Sequence, residues 1–68
     1  MKDTNGADLW VARDKDGKLY LYVYHKPSKK EIIWDDDYGY YVRIDRSLFP
    51  EVQWSDEEPT KVKLVIDK

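Results

Sequence analysis

The sequence predicts an all-β fold, an antiparallel meander of about five strands that is curled or partly closed as small barrels are. Two glycine-containing turns, at residues 14–18 and 36–39, each separate two stretches rich in aliphatic and aromatic side chains. Near the end of the chain, residues 60–66 alternate between polar and apolar side chains, as half-buried strands do. These features predict strands joined by tight turns.

The length of the chain, 68 residues, leaves room for one domain. Residues 1–7 are mostly polar and show no periodicity, so we expect a flexible N-terminus followed by a single β domain over residues 8–68. The chain has no cysteine, so no disulfide can stabilise it. Apolar packing must therefore hold the fold, unless a partner or a second copy contributes.

The first hairpin is predicted by its turn. Asp14-Lys15-Asp16-Gly17-Lys18 is typical of a type I turn in which Gly17 takes the left-handed conformation that closes a three-residue loop. Pairing Asp14 with Lys18 sets side chains of like character opposite one another and predicts an aliphatic and an aromatic face. The aliphatic face carries Leu9, Val11, Leu19, Leu21 and Val23, and the aromatic face carries Trp10, Ala12, Tyr20, Tyr22 and Tyr24.

A second hairpin is predicted from residues 31–35 and 40–45. A loop of residues 37–39 would align Trp34 with Val42 and Ile32 with Ile44. The segment 27–30, which begins with a proline, is a polar turn before this hairpin.

The rest of the chain is predicted to be irregular until the last strand. One short helical turn near residues 47–50 would begin at Ser47 and end before Pro50, because a residue preceding proline avoids the helical region. An acidic loop at residues 55–59 leads into a final strand at 60–66. The predicted core comprises Leu9, Val11, Leu19, Leu21, Val23, Ile32, Trp34, Val42, Ile44, Phe49, Val62 and Leu64.

The composition of the chain argues against nucleic-acid binding and against insertion into a membrane. A net charge of −2 disfavours nucleic acid as a partner, because phosphate contacts need clustered Lys and Arg. No run approaches the roughly 18 apolar residues of a membrane span, and the first residues lead into no apolar signal core. We therefore expect a cytoplasmic protein that does not bind membranes.

Catalysis and metal binding also find little support in the residues. The chain offers no cysteine and one histidine, His25, among lysines at a strand end. Asp14, Asp16 and Gly17 suggest a calcium loop, but the spacing would put Val23 where a bidentate glutamate belongs. We expect no catalytic residue, no cofactor and no metal.

The aromatic face leaves three interpretations open, because the second face of such a sheet is normally polar. The acidic loop and last strand could cover it, it could bind a protein or a second copy of the chain, or it could stack unpaired bases. The candidate protein-binding residues are Trp10, Tyr20, Tyr22 and Tyr24. The alternative, a single-stranded nucleic-acid-binding protein, adds the flanking lysines Lys18, Lys26, Lys29 and Lys30.

Two motifs carry a resemblance to other proteins. Residues 10–17, with the pattern W-x-A-R-D-K-D-G, and the Leu48-Phe49-Pro50-Glu51-Val52 block before the acidic loop resemble a group of short uncharacterised bacterial and bacteriophage proteins. The resemblance spans most of residues 9–64 and brings no activity with it. It implies an accessory protein of a phage or mobile element, acting by binding a host protein.

Overall fold

The computed structural model describes residues 8–63, which form an all-β antiparallel fold and contain no helix. The predicted fold class is thereby confirmed. The N-terminal segment 1–7 and the predicted core residue Leu64 lie outside the described residues. The strands of residues 8–63 are β1 (Asp8–Arg13), β2 (Leu19–Val23), β3 (Ser28–Lys29), β4 (Trp34–Asp35), β5 (Tyr41–Ile44) and β6 (Thr60–Lys63).

The strands form two sheets. A four-stranded sheet has the order β5-β2-β1-β6, and β3 pairs with β4 in a separate two-stranded sheet. Within the described chain the larger sheet is open rather than closed, with β5 and β6 at its edges. Its strand order departs from a simple meander, because β5 returns to β2 and β6 returns to β1.

The first hairpin has the predicted register. Leu9 pairs with Val23 and Trp10 with Tyr22. The turn is closed by the Asp14 N–H, which donates to the Lys18 carbonyl at 2.9 Å, and Gly17 takes a φ of +94°. Turn chemistry and side-chain alternation therefore suffice to specify this hairpin.

The predicted second hairpin is wrong. Val42 pairs with Leu21 of β2 rather than with Trp34, while Trp34 pairs with Lys29 of β3. Pairing β5 with β2 extends the four-stranded sheet and keeps Val42 on its aliphatic face. Two predicted core residues are nevertheless exposed, Val42 to 56% on this edge strand and Ile32 to 60% before β4.

The aliphatic face of the sheet is covered by the segment that follows β5. Val11 and Leu19 are fully buried against Val52, with Phe49 packed beside them. Residues 45–48 form a hydrogen-bonded turn at the predicted helical site, in which the Leu48 N–H donates to the Asp45 carbonyl at 3.0 Å.

The aromatic face of the sheet is covered by the β3–β4 hairpin. Ala12, Tyr22 and Trp34 are buried together there, and Trp10, Tyr20 and Trp54 pack around them half-buried. The last strand does not fold over this face, because β6 lies beside β1 in the plane of the sheet.

Over residues 8–63 there is no helix long and apolar enough to cross a membrane.

Candidate functional site

The four candidate residues of the aromatic face do not form one exposed surface. Tyr22 is only 1% exposed, and Trp10 and Tyr20 are half-buried in the cluster below Trp34. Tyr24, in contrast, is 76% exposed. Only Tyr24 of these residues is therefore fully available to a partner.

Tyr22 is held inside the domain by the covering tryptophan. Its hydroxyl donates to the Trp34 carbonyl at 3.0 Å, and the indole Nε1–H of Trp34 donates to the Arg13 carbonyl at 3.1 Å. Burial raises the pKa of Tyr22 well above its ordinary value, and the nearby Asp14 charge adds to the increase. Tyr22 is thus a neutral structural donor.

Asp14 fixes the same tryptophan from the first turn. Its Oδ1 accepts the Trp34 backbone N–H at 2.9 Å, and its side chain is buried. Burial raises the pKa of the Asp14 carboxyl, and the bond from Trp34 partly opposes that increase. The raised pKa of Asp14 therefore reflects its burial in a structural role, because its carboxyl oxygen already accepts the Trp34 backbone N–H.

Tyr24 leaves the sheet through an unusual backbone conformation. The φ of Tyr24 is +72°, a value that residues other than glycine rarely adopt. The His25 N–H donates to the Val23 carbonyl at 2.8 Å, which closes a three-residue turn around Tyr24. This tight turn ends β2. It directs the Tyr24 ring away from Tyr22 and against Tyr40, with the ring centroids 5.4 Å apart and the planes perpendicular.

An exposed ring cluster forms where Tyr24 meets the turn that precedes β5. We define it as Tyr24, His25, Tyr38 and Tyr40. The His25 ring stacks on Tyr38 with centroids 4.1 Å apart and lies 5.8 Å from Tyr40. The three tyrosines are all exposed.

One buried carboxylate shapes the turn that carries two rings of the cluster. Asp36 accepts the backbone N–H groups of Tyr38, Gly39 and Tyr40 at 3.0, 2.7 and 3.1 Å. Burial alone would raise the pKa of Asp36, but these bonds outweigh it and lower the pKa below its ordinary value. The ionised carboxylate therefore holds the turn, and with it the positions of Tyr38 and Tyr40.

The ring cluster continues onto the edge strand β5. The Tyr40 carbonyl accepts the Val23 N–H at 2.9 Å, which extends the pairing of β5 with β2. Beyond it, Tyr41 and Val42 are exposed on opposite faces of the sheet. We call the cluster together with these two residues the β5-edge surface.

The opposite edge of the sheet has a different composition. Along β6, exposed Lys61 and Lys63 alternate with Thr60 and Val62, which are half-buried. Charged lysines on an edge strand oppose pairing with another strand, because pairing would bring them close to a second chain and out of water. The β5 edge has one cation, Arg43, and otherwise apolar side chains.

The four candidate lysines are dispersed and engaged within the domain. Lys18 lies 3.7 Å from Asp16, Lys26 lies 2.8 Å from Glu58, and Lys30 lies 3.7 Å from Asp37. The Lys29 Nζ lies 4.3 Å from the centroid of the Trp54 ring and donates to the Asp56 carbonyl at 3.0 Å. They do not form a continuous cationic track beside the exposed rings.

Sequence reasoning missed His25, Tyr38 and Tyr40 as members of a surface cluster. A signal was available, because three tyrosines follow an acidic run within four residues, Tyr38 to Tyr41, around Gly39.

Among the described residues, no group of three or more His, Asp or Glu side chains could hold a metal ion. The comparisons with known proteins give no match: no family model, no curated protein and no solved structure is similar to this chain.

Proposed function

We propose that this protein is a non-enzymatic interaction module that binds an extended segment of a partner protein at the β5-edge surface. The observation that carries the proposal is the meeting of an open strand edge with exposed rings. Tyr41 and Val42 present apolar surface on both faces of β5, and two rings of the cluster, Tyr38 and Tyr40, come just before them in the chain.

The physical argument is that of strand addition. An edge strand has unpaired N–H and C=O groups, which an extended segment can use, while pockets and rings beside the edge select its side chains. Tyrosine suits such a surface because it offers large apolar area with little side-chain entropy to lose, and a hydroxyl for hydrogen bonding. Contiguous exposed apolar area of this kind marks interaction sites more often than free surface.

We further propose that the partner is a host protein in the cytoplasm, which is the setting that the motif resemblance implies. There the module would act by sequestering an extended segment of its target.

The test compares Val42→Lys with the matched control Ile32→Lys. Both residues are exposed to a similar extent, 56% and 60%, but Ile32 lies before β4, away from the β5 edge. We expect capture of a specific protein from a bacterial lysate to survive in the Ile32 variant and to fall at least tenfold in the Val42 variant. Equal capture by both variants, with unchanged far-ultraviolet spectra, would rule out the β5 edge.

A second copy of the chain is an alternative occupant of the same edge. Strand addition between two copies would give a symmetric dimer in which β5 of one copy pairs with β5 of the other. Sedimentation of the wild-type protein and the Val42→Lys variant distinguishes this case. A concentration-dependent dimer that the substitution abolishes would identify the partner as the chain itself.

Single-stranded nucleic acid is the second candidate function, favoured by the exposed Tyr38 ring, on which half-buried His25 stacks. Bases stack on such rings for about 1–3 kcal/mol each. The lysines that would attract the phosphates are engaged with Asp16, Asp37 and Glu58. Fluorescence anisotropy with a labelled single-stranded oligonucleotide at low salt should therefore show no binding, and saturable binding lost in Tyr38→Ser would favour this function instead.

A further inference from the structure

A cavity lies at the other end of β5, where β5 ends and β2 begins. Its volume is about 390 Å³, within the range of small-molecule sites. The ring cluster does not contribute to it. The lining consists of three cationic side chains, one carboxylate and two aliphatic residues, namely Lys18, Arg43, Arg46, Asp45, Leu19 and Ile44.

The strand pairing brings these cations together. Leu19 pairs with Ile44, so Lys18 and Arg43 extend from neighbouring strands of the sheet at this end. Arg46 approaches from the turn after β5 and lays its Nη2 3.5 Å from the Asp16 carbonyl oxygen. Its Nη2 lies 3.5 Å from the position where a Cβ at Gly17 would be, so the guanidinium packs against the Gly17 turn.

The two turns that carry the cations are stiffened and tied to each other. The Lys18 N–H donates to Asp16 Oδ1 at 2.9 Å. The Nη1 of Arg13 donates to the carbonyls of Gly17 and Arg46 at 2.9 and 3.0 Å and so joins the turns. The backbones that carry the cations are therefore positioned before a ligand arrives, which lowers the ordering cost of binding.

The balance of charge around the cavity favours an anion. Asp45 is the one carboxylate in the lining, and its Oδ1 accepts the Ser47 hydroxyl and N–H at 2.7 and 2.8 Å. Among residues 8–63, the Arg43 side chain has neither a hydrogen-bond nor an ion-pair partner. Lys18 lies 3.7 Å from Asp16, so the excess of positive charge over Asp45 in the lining comes from Arg43 and Arg46.

We propose that this cavity binds a phosphoryl group, with Arg43 and Arg46 as its direct ligands. The planar guanidinium group matches the oxygen geometry of phosphate with two parallel N–H bonds, and charge-assisted bonds of this kind are the strong ones. Arginine clusters are also how proteins recognise phosphorylated side chains. The ligand is either a free phosphate ion or a phosphorylated residue of a protein, and the site is independent of the β5-edge surface.

The experiment follows amide chemical shifts of the full chain during titration with sodium phosphate at constant ionic strength. We expect saturable shifts at Lys18, Arg43 and Arg46, and about fivefold weaker binding in Arg43→Gln, the cost of one exposed ion pair at the upper end of its range. Lys63→Gln removes one positive charge from the far edge and should leave the affinity unchanged. Equal weakening by both variants, or the same shifts with sodium chloride, would overturn the proposal.

A second titration distinguishes the two sources of the phosphoryl group. A short peptide containing phosphoserine and its unphosphorylated form are added to the wild-type protein and to Arg43→Gln. If the phosphopeptide binds no more tightly than inorganic phosphate, the site is for the free ion. If it binds at least tenfold more tightly in an Arg43-dependent way, the source is a phosphorylated protein.

Discussion

The two faces of the central sheet are covered in different ways. On the aliphatic face, Val52 closes the core by apolar packing against Val11 and Leu19. On the aromatic face, the β3–β4 hairpin places Trp34 over the core beside Trp54, and the backbone and indole of Trp34 are fixed by hydrogen bonds to the first hairpin. The backbone of the aliphatic cover is bound by one side chain, Arg13, whereas Trp34 of the aromatic cover forms hydrogen bonds with three residues of the first hairpin.

The difference has a physical origin in what lies beneath each cover. Aliphatic side chains offer no polar atoms, so the segment above them must satisfy its own carbonyls elsewhere. The guanidinium of Arg13 does this by donating to four carbonyls of that segment, those of Arg46, Leu48, Phe49 and Val52, and it also donates to the Gly17 carbonyl, all at 2.7 to 3.2 Å. The aromatic face contains a buried tyrosine hydroxyl, so its cover must supply an acceptor, as Trp34 does.

The largest effect is expected from Trp34→Ala. The substitution removes the buried indole and its bond to Arg13, and the aromatic face loses its cover, so we expect a loss of about 3–5 kcal/mol in the free energy of unfolding. Urea denaturation followed by circular dichroism measures it. Ile33→Ala, next in sequence and exposed, is the control and should change stability by less than about 0.5 kcal/mol. Similar losses in both variants would show that Trp34 does not cover a core.

The next effect tests the aliphatic cover through Arg13→Lys. Lysine keeps the charge but has a single ammonium group that cannot reach all five carbonyls, so we expect a loss of about 2 kcal/mol. Arg43→Lys is the matched control, because the Arg43 side chain is exposed and its loss should be within about 0.5 kcal/mol. Thermal unfolding of both variants compares their losses of stability. An Arg13→Lys variant as stable as the wild type would contradict the proposed role of the Arg13 guanidinium.

A smaller effect is expected from Tyr22→Phe, which removes one buried hydroxyl and leaves the Trp34 carbonyl without its donor. The expected loss is about 1–2 kcal/mol. Tyr41→Phe removes a hydroxyl from an exposed neighbour on the same face and should be nearly neutral. If the two hydroxyls prove equivalent in chemical denaturation, the polar attachment of the aromatic cover is not a source of stability.

The parts of the fold that the sequence predicts are those set by local chemistry. The 14–18 turn and the alternation on either side of it determine the first hairpin, because its partners lie within a few residues of the turn. The pairing of β5 with β2 could not be read in this way. Val42 would meet an apolar partner opposite either Trp34 or Leu21, and the choice depends on which segment covers the aromatic face.

The candidate site shows the same limit. Alternation along β2 places Tyr24 with Tyr22, but the positive φ at Tyr24 ends the alternation one residue early and moves the ring outward. No residue type at positions 23–25 marks such a turn, since glycine is what usually permits it. The burial of Tyr22 depends on Trp34, a contact across 12 positions in sequence that alternation does not encode. The one sequence feature that indicates the site is the group of tyrosines near Gly39.

The smallest effect, a dependence on pH, separates the polar attachment at Asp14 from the packing around it. Because burial raises the pKa of Asp14 in the folded state, the folded protein binds a proton more tightly than the unfolded chain. Stability from this group is therefore present below the unfolded pKa and is lost as the pH rises through the folded pKa. Asp36 has the opposite sign, since its lowered pKa makes its contribution fade as the pH falls.

Asp14→Asn isolates this effect, because the amide oxygen can still accept the Trp34 N–H while the group no longer titrates. As the pH is raised from about 3.9, the ordinary aspartate value, towards neutrality, the wild-type protein should lose stability relative to the variant. Urea midpoints of both proteins across this range measure the difference, in which the contribution of Asp36 cancels. If the difference in urea midpoint does not change with pH, ionisation of Asp14 costs no folding free energy. The Asp14 carboxyl under the aromatic cover would then be as exposed to water as the sheet edge.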